Sequence, residues 1–271
     1  MIDWNALWNE TLLASRSNRV SYYEDEKQAK NYDKSMPIRV DGEKRVGGFN
    51  FDKEWTVLDI GSGPGTLTIP LAKKVKNVTA VEPSFAMIQL LKAHIAEGNT
   101  SNIKIIQSKW EDIAIKDIGS FDVVIASYSL GMFNIKAAIL KMDKAAKRKV
   151  YLYTFAGILS WEKFCIDLYP QIHGREYVSL PKPEIILNIL YESGIYPDVK
   201  VLWGTSFPRM YSGMDAAIKD FRSRLEISGN DHDDLLQKYI EKECEKSNGK
   251  WVWKGETIPV RISWNTKNTQ N

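Results

Sequence analysis

Cysteine and histidine are scarce in this chain. The two cysteines, Cys165 and Cys244, lie far apart without the spacing of metal ligands, and there are three histidines in 271 residues. A disulfide scaffold or a metal site is therefore not expected, and two idle thiols are typical of a reducing compartment.

Long apolar runs are also missing. No stretch approaches the ~18 consecutive apolar residues that cross a bilayer. Residues Met1 to Trp4 lack the basic and then apolar regions of a signal peptide. We therefore expect a cytoplasmic protein with no membrane partner.

Neither sign of charge dominates, since 37 lysines and arginines face 34 acidic residues and the formal net charge is +3. Two basic runs, 73–76 and 144–149, fall near predicted helix C-termini. Cations there complement the helix dipole and face solvent. Nucleic acid is therefore disfavoured as a partner.

The most informative segment is a glycine-rich turn that follows an apolar run. Residues 57–60 carry Asp59 and lead into three glycines at alternate positions, Gly61, Gly63 and Gly65. The next apolar run, 78–81, ends in Glu82. Two carboxylates at the ends of neighbouring strands, around a glycine turn, indicate a nucleoside site, in which Glu82 can accept hydrogen bonds from a ribose diol.

A dinucleotide is a poor match for this turn. The dinucleotide pattern G-x-G-x-x-G/A needs a small residue at position 66, where the chain has Thr66. A pyrophosphate binds a helix N-terminus because the N–H groups and dipole favour an anion, and Asp59 would repel it. A ligand with no phosphate and a positive end removes this conflict.

S-adenosylmethionine (SAM) is such a ligand, with an ammonium and a sulfonium. The D-x-G-x-G-x-G pattern and the acid at the end of the next strand resemble the first two motifs of class I SAM-dependent methyltransferases. The resemblance implies that SAM is the cofactor, S-adenosylhomocysteine the product, and the glycine turn the seat of the methionine part. An unrelated α/β protein with a glycine-rich turn is the structural alternative.

The resemblance assigns further residues to the cofactor. Tyr32 is expected to reach the methionine carboxylate, with Arg16 and Arg19 as alternatives. Met87, on the helix that follows Glu82 and Pro83, is expected to cover the adenine or to be plain core.

The adenine end departs from the family pattern. An aspartate of the family falls at Lys109, which cannot accept a hydrogen bond. Glu111, Asp112 or the backbone are the alternatives for reading the adenine amine. Trp110 is expected to pack on the adenine ring or to be a core residue.

Candidates for the methyl-transfer end follow the fourth predicted strand. In the family this strand end faces the sulfonium, which makes Ser127 and Tyr128 lining residues and Tyr128 a catalytic candidate. His173, in a predicted loop, is a second candidate as a base or anion contact, or a surface histidine. His94 is expected to be a solvated surface residue. The Asn/Asp-Pro-Pro-Tyr and Pro-Cys motifs of enzymes that methylate nucleic-acid bases are absent.

Several aromatic residues are expected either to form a lid over the substrate or to pack in the core. The candidates are Trp4, Trp8, Tyr22, Tyr23, Trp161 and Phe164. Such a lid suits a small acceptor that is partly apolar, or a desolvated cation.

The order of elements predicts an α/β fold. Strands at 55–60, 78–82, 103–107, 121–126 and 148–154 alternate with helices, which is typical of a mostly parallel sheet with helices on both faces, a three-layer sandwich. Residues 196–203 and 260–264 complete a seven-stranded sheet with an antiparallel last strand. Before the core, helices are expected near Trp4 to Leu12 and from Ser21 to Lys34, and residues 37–50 are expected to be irregular.

One methyltransferase domain is the expected organisation. Residues 1–50 form an N-terminal helical cap, 51–155 the SAM-binding core and 156–271 a C-terminal half. Compared with the family, residues 204–250 are an insertion, with helices near 212–226 and 233–246.

These patterns favour a SAM-dependent methyltransferase that acts on a small molecule. Methylation of protein or RNA is the alternative within the same class. A SAM-binding module without catalysis is an alternative of another class, and an NAD-dependent oxidoreductase is the least favoured.

Overall fold

The computed structural model describes residues 2–15, 24–35, 38–202, 209–253 and 256–266. The chain divides into two compact units, which are described separately. The first comprises residues 1–154, 183–200 and 261–271, and the second comprises 155–182 and 201–260. The prediction of one domain that spans both units stays a prediction.

Three helices precede the sheet: α1 (Trp4–Ala14), α2 (Glu26–Ser35) and α3 (Ile38–Gly47). The first is confirmed. It begins where the Asp3 side chain accepts hydrogen bonds from the backbone N–H groups of Asn5 and Ala6, as is usual for an N-cap aspartate. The proposed start of the second helix, at Ser21, lies outside the described residues.

The prediction that residues 37–50 are irregular is wrong, because most of them form α3. Gly42, which falls in this range, lies within the helix. A Cβ at this position would lie 1.9 Å from the backbone oxygen of Thr66. Only glycine fits at position 42, because helix α3 approaches the turn after the first strand so closely there. Glycine disfavours a helix, and the close packing that it allows offsets this cost.

The main sheet has seven strands. In chain order they are β1 (Thr56–Ile60), β2 (Asn77–Val81), β3 (Ile103–Ile106), β4 (Phe121–Ser127), β5 (Ala146–Ala156), β6 (Asp198–Val201) and, after the second unit, the last strand (Ile258–Asn265). Their spatial order is β3-β2-β1-β4-β5-last-β6, and the last strand is antiparallel to the other six. The predicted fold class is confirmed.

Parallel pairing brings the strand ends to one edge of the sheet. Asp59 on β1 lies beside Ala80 on β2 and Ile125 on β4. The strands are connected by helices α4 (Thr68–Ala72), α5 (Phe85–Glu97), α6 (Ile115–Ile118) and α7 (Ile135–Ala145). The acids and glycines predicted to form a site therefore meet at the carboxyl edge, where open α/β sheets bind ligands.

The second unit has its own apolar core. It contains helix α8 (Ser160–His173), the helices Met214–Arg224 and Asp233–Glu243, and a small sheet of strands Arg209–Tyr211, Glu245–Ser247 and Lys250–Trp253. Helix α9 (Pro183–Glu192) belongs to the first unit. In the second unit's core, the rings of Phe164 and Phe221 stack with centroids 4.0 Å apart.

The basic run 144–149 spans the end of helix α7 and the start of strand β5. Helix α7 ends at Ala145, and Arg148 lies on β5, where its Nε is 3.3 Å from Asp122 Oδ1. Within the described ranges, no helix combines the length and the apolar character needed to span a bilayer.

Candidate functional site

The glycine turn after β1 is left-handed at each of its three glycines. Gly61, Gly63 and Gly65 have φ angles of +68°, +54° and +94°, a region that other residues rarely adopt. A Cβ on Gly61 would lie 2.3 Å from Ser129 Cβ, and one on Gly65 would lie 2.6 Å from Leu91 Cδ1. No described atom lies within 4 Å of a Cβ built on Gly63. Gly61 and Gly65 thus permit packing, whereas Gly63 leaves space for a ligand.

Glu82 is buried at the end of β2 and held by two backbone donors. Its Oε2 accepts from Gly63 N–H at 2.8 Å, and its Oε1 accepts from Ser84 N–H at 2.9 Å. Burial raises the pKa of this carboxyl, the two N–H groups lower it, and the charges of Asp59 and Glu24 raise it further. Each oxygen has a second lone-pair site, so the fixed carboxylate can accept further hydrogen bonds.

Asp59 is almost fully buried at the end of β1. Its Oδ2 accepts a hydrogen bond of 2.6 Å from Thr68 Oγ1. Burial raises its pKa from 3.8 to about 6, although the Thr68 hydroxyl and the positive charge of Arg45 lower it. The carboxylate is therefore poorly compensated, and a cationic ligand group beside it would stabilise its charged form.

Arg45 is a site residue that sequence reasoning missed. Located on α3, it donates from Nη1 to Ser127 Oγ at 2.5 Å. Its guanidinium carbon lies 5.2 Å from the centre of the Tyr128 ring and 5.7 Å from that of Tyr153. The sequence offers one indirect sign of this role: if Gly42 lies on a helix that packs against the glycine turn, then Arg45, three residues later, lies close to the turn as well.

These groups surround one cavity of about 610 Å³, within the ~300–1,000 Å³ usual for small-molecule sites. Most of the predicted site residues line it. They are Tyr32, Asp59, Gly61, Gly63, Glu82, Pro83, Met87, Trp110, Glu111, Ser127 and Tyr128; Lys109, where the family has an aspartate, also lines the cavity. Of the other predictions, neither Gly65 nor Asp112 is among the described residues that line the cavity.

Trp110 is a core residue that also lines the cavity, and its packing on adenine stays a prediction. It is buried in the main core and donates from Nε1 to Ala138 O at 3.1 Å, yet it also lines the cavity. The Nζ of Lys141 lies 4.4 Å from the Trp110 ring centre and donates to Ile113 O at 2.9 Å. Burial lowers the pKa of Lys141. Lys141, on helix α7, thus anchors the turn after β3 through these contacts.

Tyr128 stands in a strained conformation at the end of β4. Its φ of +56° is uncommon for a residue other than glycine. The backbone holds it there: Tyr128 N–H donates to Tyr153 O at 3.0 Å, and the next residue, Ser129, donates from Oγ to Ile60 O at 2.6 Å. These two bonds fix the backbone at Tyr128, which lines the cavity.

Helix α1 is bonded to the loop between β4 and α7. Trp8 Nε1 donates to Met132 O at 2.9 Å. The Asn134 N–H donates to Asn9 Oδ1 at 2.9 Å, and the Lys136 N–H donates to Asn5 Oδ1 at 3.0 Å. All three bonds use the backbone of the loop region, so α1 fixes the path of the chain there.

The expected aromatic lid is not found in the described residues. Trp8 is buried in the core and Trp4 packs against it, and neither lines the cavity. Instead α1 contributes Leu12 and Leu13. Tyr22 and Tyr23 lie outside the described residues, and Trp161 and Phe164 belong to the core of the second unit.

The histidines take other places. His173 lies in the second unit, at the end of a helix rather than in a loop, with its Nε2 2.7 Å from Leu225 O. It is not among the described residues that line the cavity, and its catalytic role stays a prediction. His94 is not a solvated surface residue: its Nδ1 lies 2.8 Å from Pro64 O and its Nε2 lies 3.4 Å from Asp33 Oδ2.

The two arginines considered for the methionine carboxylate, Arg16 and Arg19, lie outside the described residues.

Comparison with known proteins identifies part of the chain. Residues 57–149 match the model of a family described as "Methyltransferase domain". An uncharacterised Haemophilus influenzae protein is 29% identical over 153 residues, which are 56% of this chain and 55% of that protein. The mitochondrial ribosomal RNA small subunit methyltransferase of Arabidopsis thaliana is 28% identical over 181 residues, covering 58% of this chain and 46% of that protein. The chain thus spans about half the length of these relatives.

A ubiquinone biosynthesis O-methyltransferase of Escherichia coli is 35% identical over 81 residues, which are 30% of this chain and 32% of that protein. Two solved structures share the fold. The YcgJ protein from Bacillus subtilis has a TM-score of 0.57 at 13% identity, covering 84% of this chain and 98% of its own. A Bacillus halodurans protein has a TM-score of 0.58 at 14% identity, covering 83% and 98%.

Proposed function

We propose that this chain, which belongs to the class I SAM-dependent methyltransferases, transfers the SAM methyl group to a small-molecule acceptor. The observation that carries the proposal is a cavity at the carboxyl edge of the sheet, in which buried Asp59 and Glu82 flank a glycine turn with space at Gly63. A concave site of this size suits a cofactor and a small acceptor.

The residues fit the cofactor by charge and shape. Glu82 is proposed to accept from the ribose hydroxyls, because it lines the cavity and each of its oxygens keeps a second lone-pair site besides the Gly63 and Ser84 donors. Asp59 is proposed to pair with the ammonium. Arg45 is proposed as the cation for the methionine carboxylate, because it carries a charge and lines the cavity, and Tyr32, which also lines the cavity, keeps its predicted place at the same carboxylate.

The adenine is proposed to bind against Pro83 and Met87 on one side and Trp110 on the other. Lys109 and Glu111 also line the cavity. Glu111 supplies an acceptor for the adenine amine, a role that Lys109 cannot fill.

SAM, when bound, supplies a methyl carbon that is already activated by the sulfonium. The acceptor would supply the electron pair of the new bond to carbon, the pair of the C–S bond would remain on sulfur, and an acceptor that carries a proton would release it to bulk solvent when the product leaves. The protein's part is to align the acceptor and exclude water. Ser127 and the strained Tyr128 are proposed to hold the acceptor at the end of β4.

A ribosomal RNA acceptor is the second candidate, because a plant relative is an rRNA methyltransferase. It would need basic side chains at the cavity mouth to contact phosphates. Leu12 and Leu13 of α1 and the β4–α7 loop residues 129–133, which line or border the cavity, carry no charge.

Labelled-methyl transfer tests the proposal directly. The protein is incubated with methyl-labelled SAM and a cell extract, and the extract is then separated into small-molecule, protein and RNA fractions. We expect the label in the small-molecule fraction. Label in RNA would support the second candidate, and no transfer despite S-adenosylhomocysteine binding would indicate a binding module.

The affinity for S-adenosylhomocysteine is expected to depend on pH through Asp59. The folded pKa of about 6 means that Asp59 is largely protonated below that pH and must lose its proton to pair with an ammonium. The affinity should therefore fall as pH falls, by about tenfold per unit below about pH 6. Calorimetry between about pH 5 and 7 measures this.

Asp59→Asn is the control for this titration. The variant should bind more weakly at about pH 7, and its affinity should fall less steeply with falling pH than that of the wild type. The raised pKa of Glu82 adds a dependence of the same sign, which this variant retains. An equally steep profile in Asp59→Asn would assign the pH dependence to Glu82 instead.

A further inference from the structure

One wall of the cavity is apolar and partly exposed. It consists of Leu12 and Leu13 of α1 with Met132 and Phe133 of the β4–α7 loop, and we call it the α1 wall. Leu12 and Met132 are buried, but Leu13 is 64% exposed and Phe133 is 50% exposed. Large apolar side chains left in water at a cavity rim are typical of a binding surface.

The charged residues that line the cavity come from some of its secondary-structure elements and not from others. The charged residues among the described lining are Arg45, Asp59, Glu82, Lys109 and Glu111. They come from α3, from the ends of β1 and β2, and from the turn after β3. The α1 wall contributes none, so the cavity has a charged portion that suits the cofactor and a neutral portion.

The α1 wall is also held in place. The Trp8 bond to Met132 O and the Asn9 bond to Asn134 N–H connect its two elements on both sides of Phe133. A fixed apolar surface needs no ordering on binding, so the area that it buries contributes to affinity with little entropic cost.

We propose that the acceptor presents a neutral, apolar body, an aromatic ring or a hydrocarbon chain, to the α1 wall. This inference rests on the proposed function, because it assigns the acceptor class of the same site. An RNA acceptor lacks cationic contacts at this wall, and a polar sugar or amino acid would leave Leu13 and Phe133 without apolar contacts.

The test uses the neutral fluorescent probe N-phenyl-1-naphthylamine, added to protein saturated with S-adenosylhomocysteine. We expect the wild type to bind the probe and Leu13→Asp to weaken its binding at least tenfold. Leu7→Asp is the matched control, since Leu7 is also exposed on α1 but does not line the cavity. It should change probe binding less than twofold. No probe binding by the wild type, or equal losses in both variants, would overturn the inference.

A second variant and a second readout keep the outcomes separate. Phe133→Asp changes an exposed side chain on the other element and should weaken probe binding as Leu13→Asp does. Calorimetry should give an unchanged affinity for S-adenosylhomocysteine in all three variants. A wild-type protein that does not bind S-adenosylhomocysteine would refute the proposed function itself.

The labelled product of the methyl-transfer experiment gives an independent readout. We expect it to partition into ethyl acetate when the reaction mixture is extracted, and a product that stays in the water phase would contradict an apolar acceptor.

Discussion

The Gly42→Ala variant should lose stability and bind S-adenosylhomocysteine at least tenfold more weakly. The new Cβ would lie 1.9 Å from Thr66 O, a backbone atom that cannot rotate away as a side-chain end does. Helix α3 must then move, at a cost of about 1–3 kcal/mol, the usual range for overpacking. Arg45 lies one turn further along α3 and would move with it. Thermal unfolding and calorimetry measure the two effects.

Gly47→Ala is the matched control on the same helix. No described atom lies within 4 Å of a Cβ built there, and alanine favours helix by up to about 1 kcal/mol over glycine. Its stability and its affinity should be unchanged or slightly higher. If Gly42→Ala behaves like Gly47→Ala, α3 does not need its close contact with Thr66.

Glu82→Ala should weaken binding of S-adenosylhomocysteine by about 1.5–3 kcal/mol, the range for hydrogen bonds to a charged group. This corresponds to roughly 10- to 150-fold in Kd. The variant removes the acceptor proposed for the ribose and leaves the Gly63 and Ser84 N–H groups without their carboxylate. Glu82→Gln keeps one acceptor oxygen, so it should fall between the wild type and Glu82→Ala.

Asp112→Ala controls for the loss of an acidic side chain, because Asp112 is exposed and does not line the cavity. It should bind as the wild type does. An unchanged affinity in Glu82→Ala would mean that the ribose is held elsewhere, and the assignment of Glu82 would fail.

The sequence predicted the sheet, and the meeting of Asp59 and Glu82 at one of its edges, because both depend on local patterns. Buried parallel strands are continuous apolar runs, and their carboxyl ends meet at one edge, so Asp59 and Glu82 could be placed together without a structure. The turn glycines could also be recognised, since a left-handed backbone restricts the residue type.

Contacts between distant segments could not be predicted in this way. Gly42 is equally compatible with a loop and with a helix that approaches another segment, and only the position of Thr66 distinguishes them. Arg45 was missed for the same reason. His94 occurs among polar residues, so nothing local indicated that its ring contacts Pro64 O and Asp33.

The bonds that attach α1 to the β4–α7 loop engage only backbone atoms of Met132, Asn134 and Lys136. The side chain of Phe133, which is half exposed, is therefore replaceable without detaching the loop. Under the proposed function, acceptor preference can diverge through Phe133 and Leu13, by natural variation or by directed evolution, while the residues proposed to bind the cofactor stay unchanged.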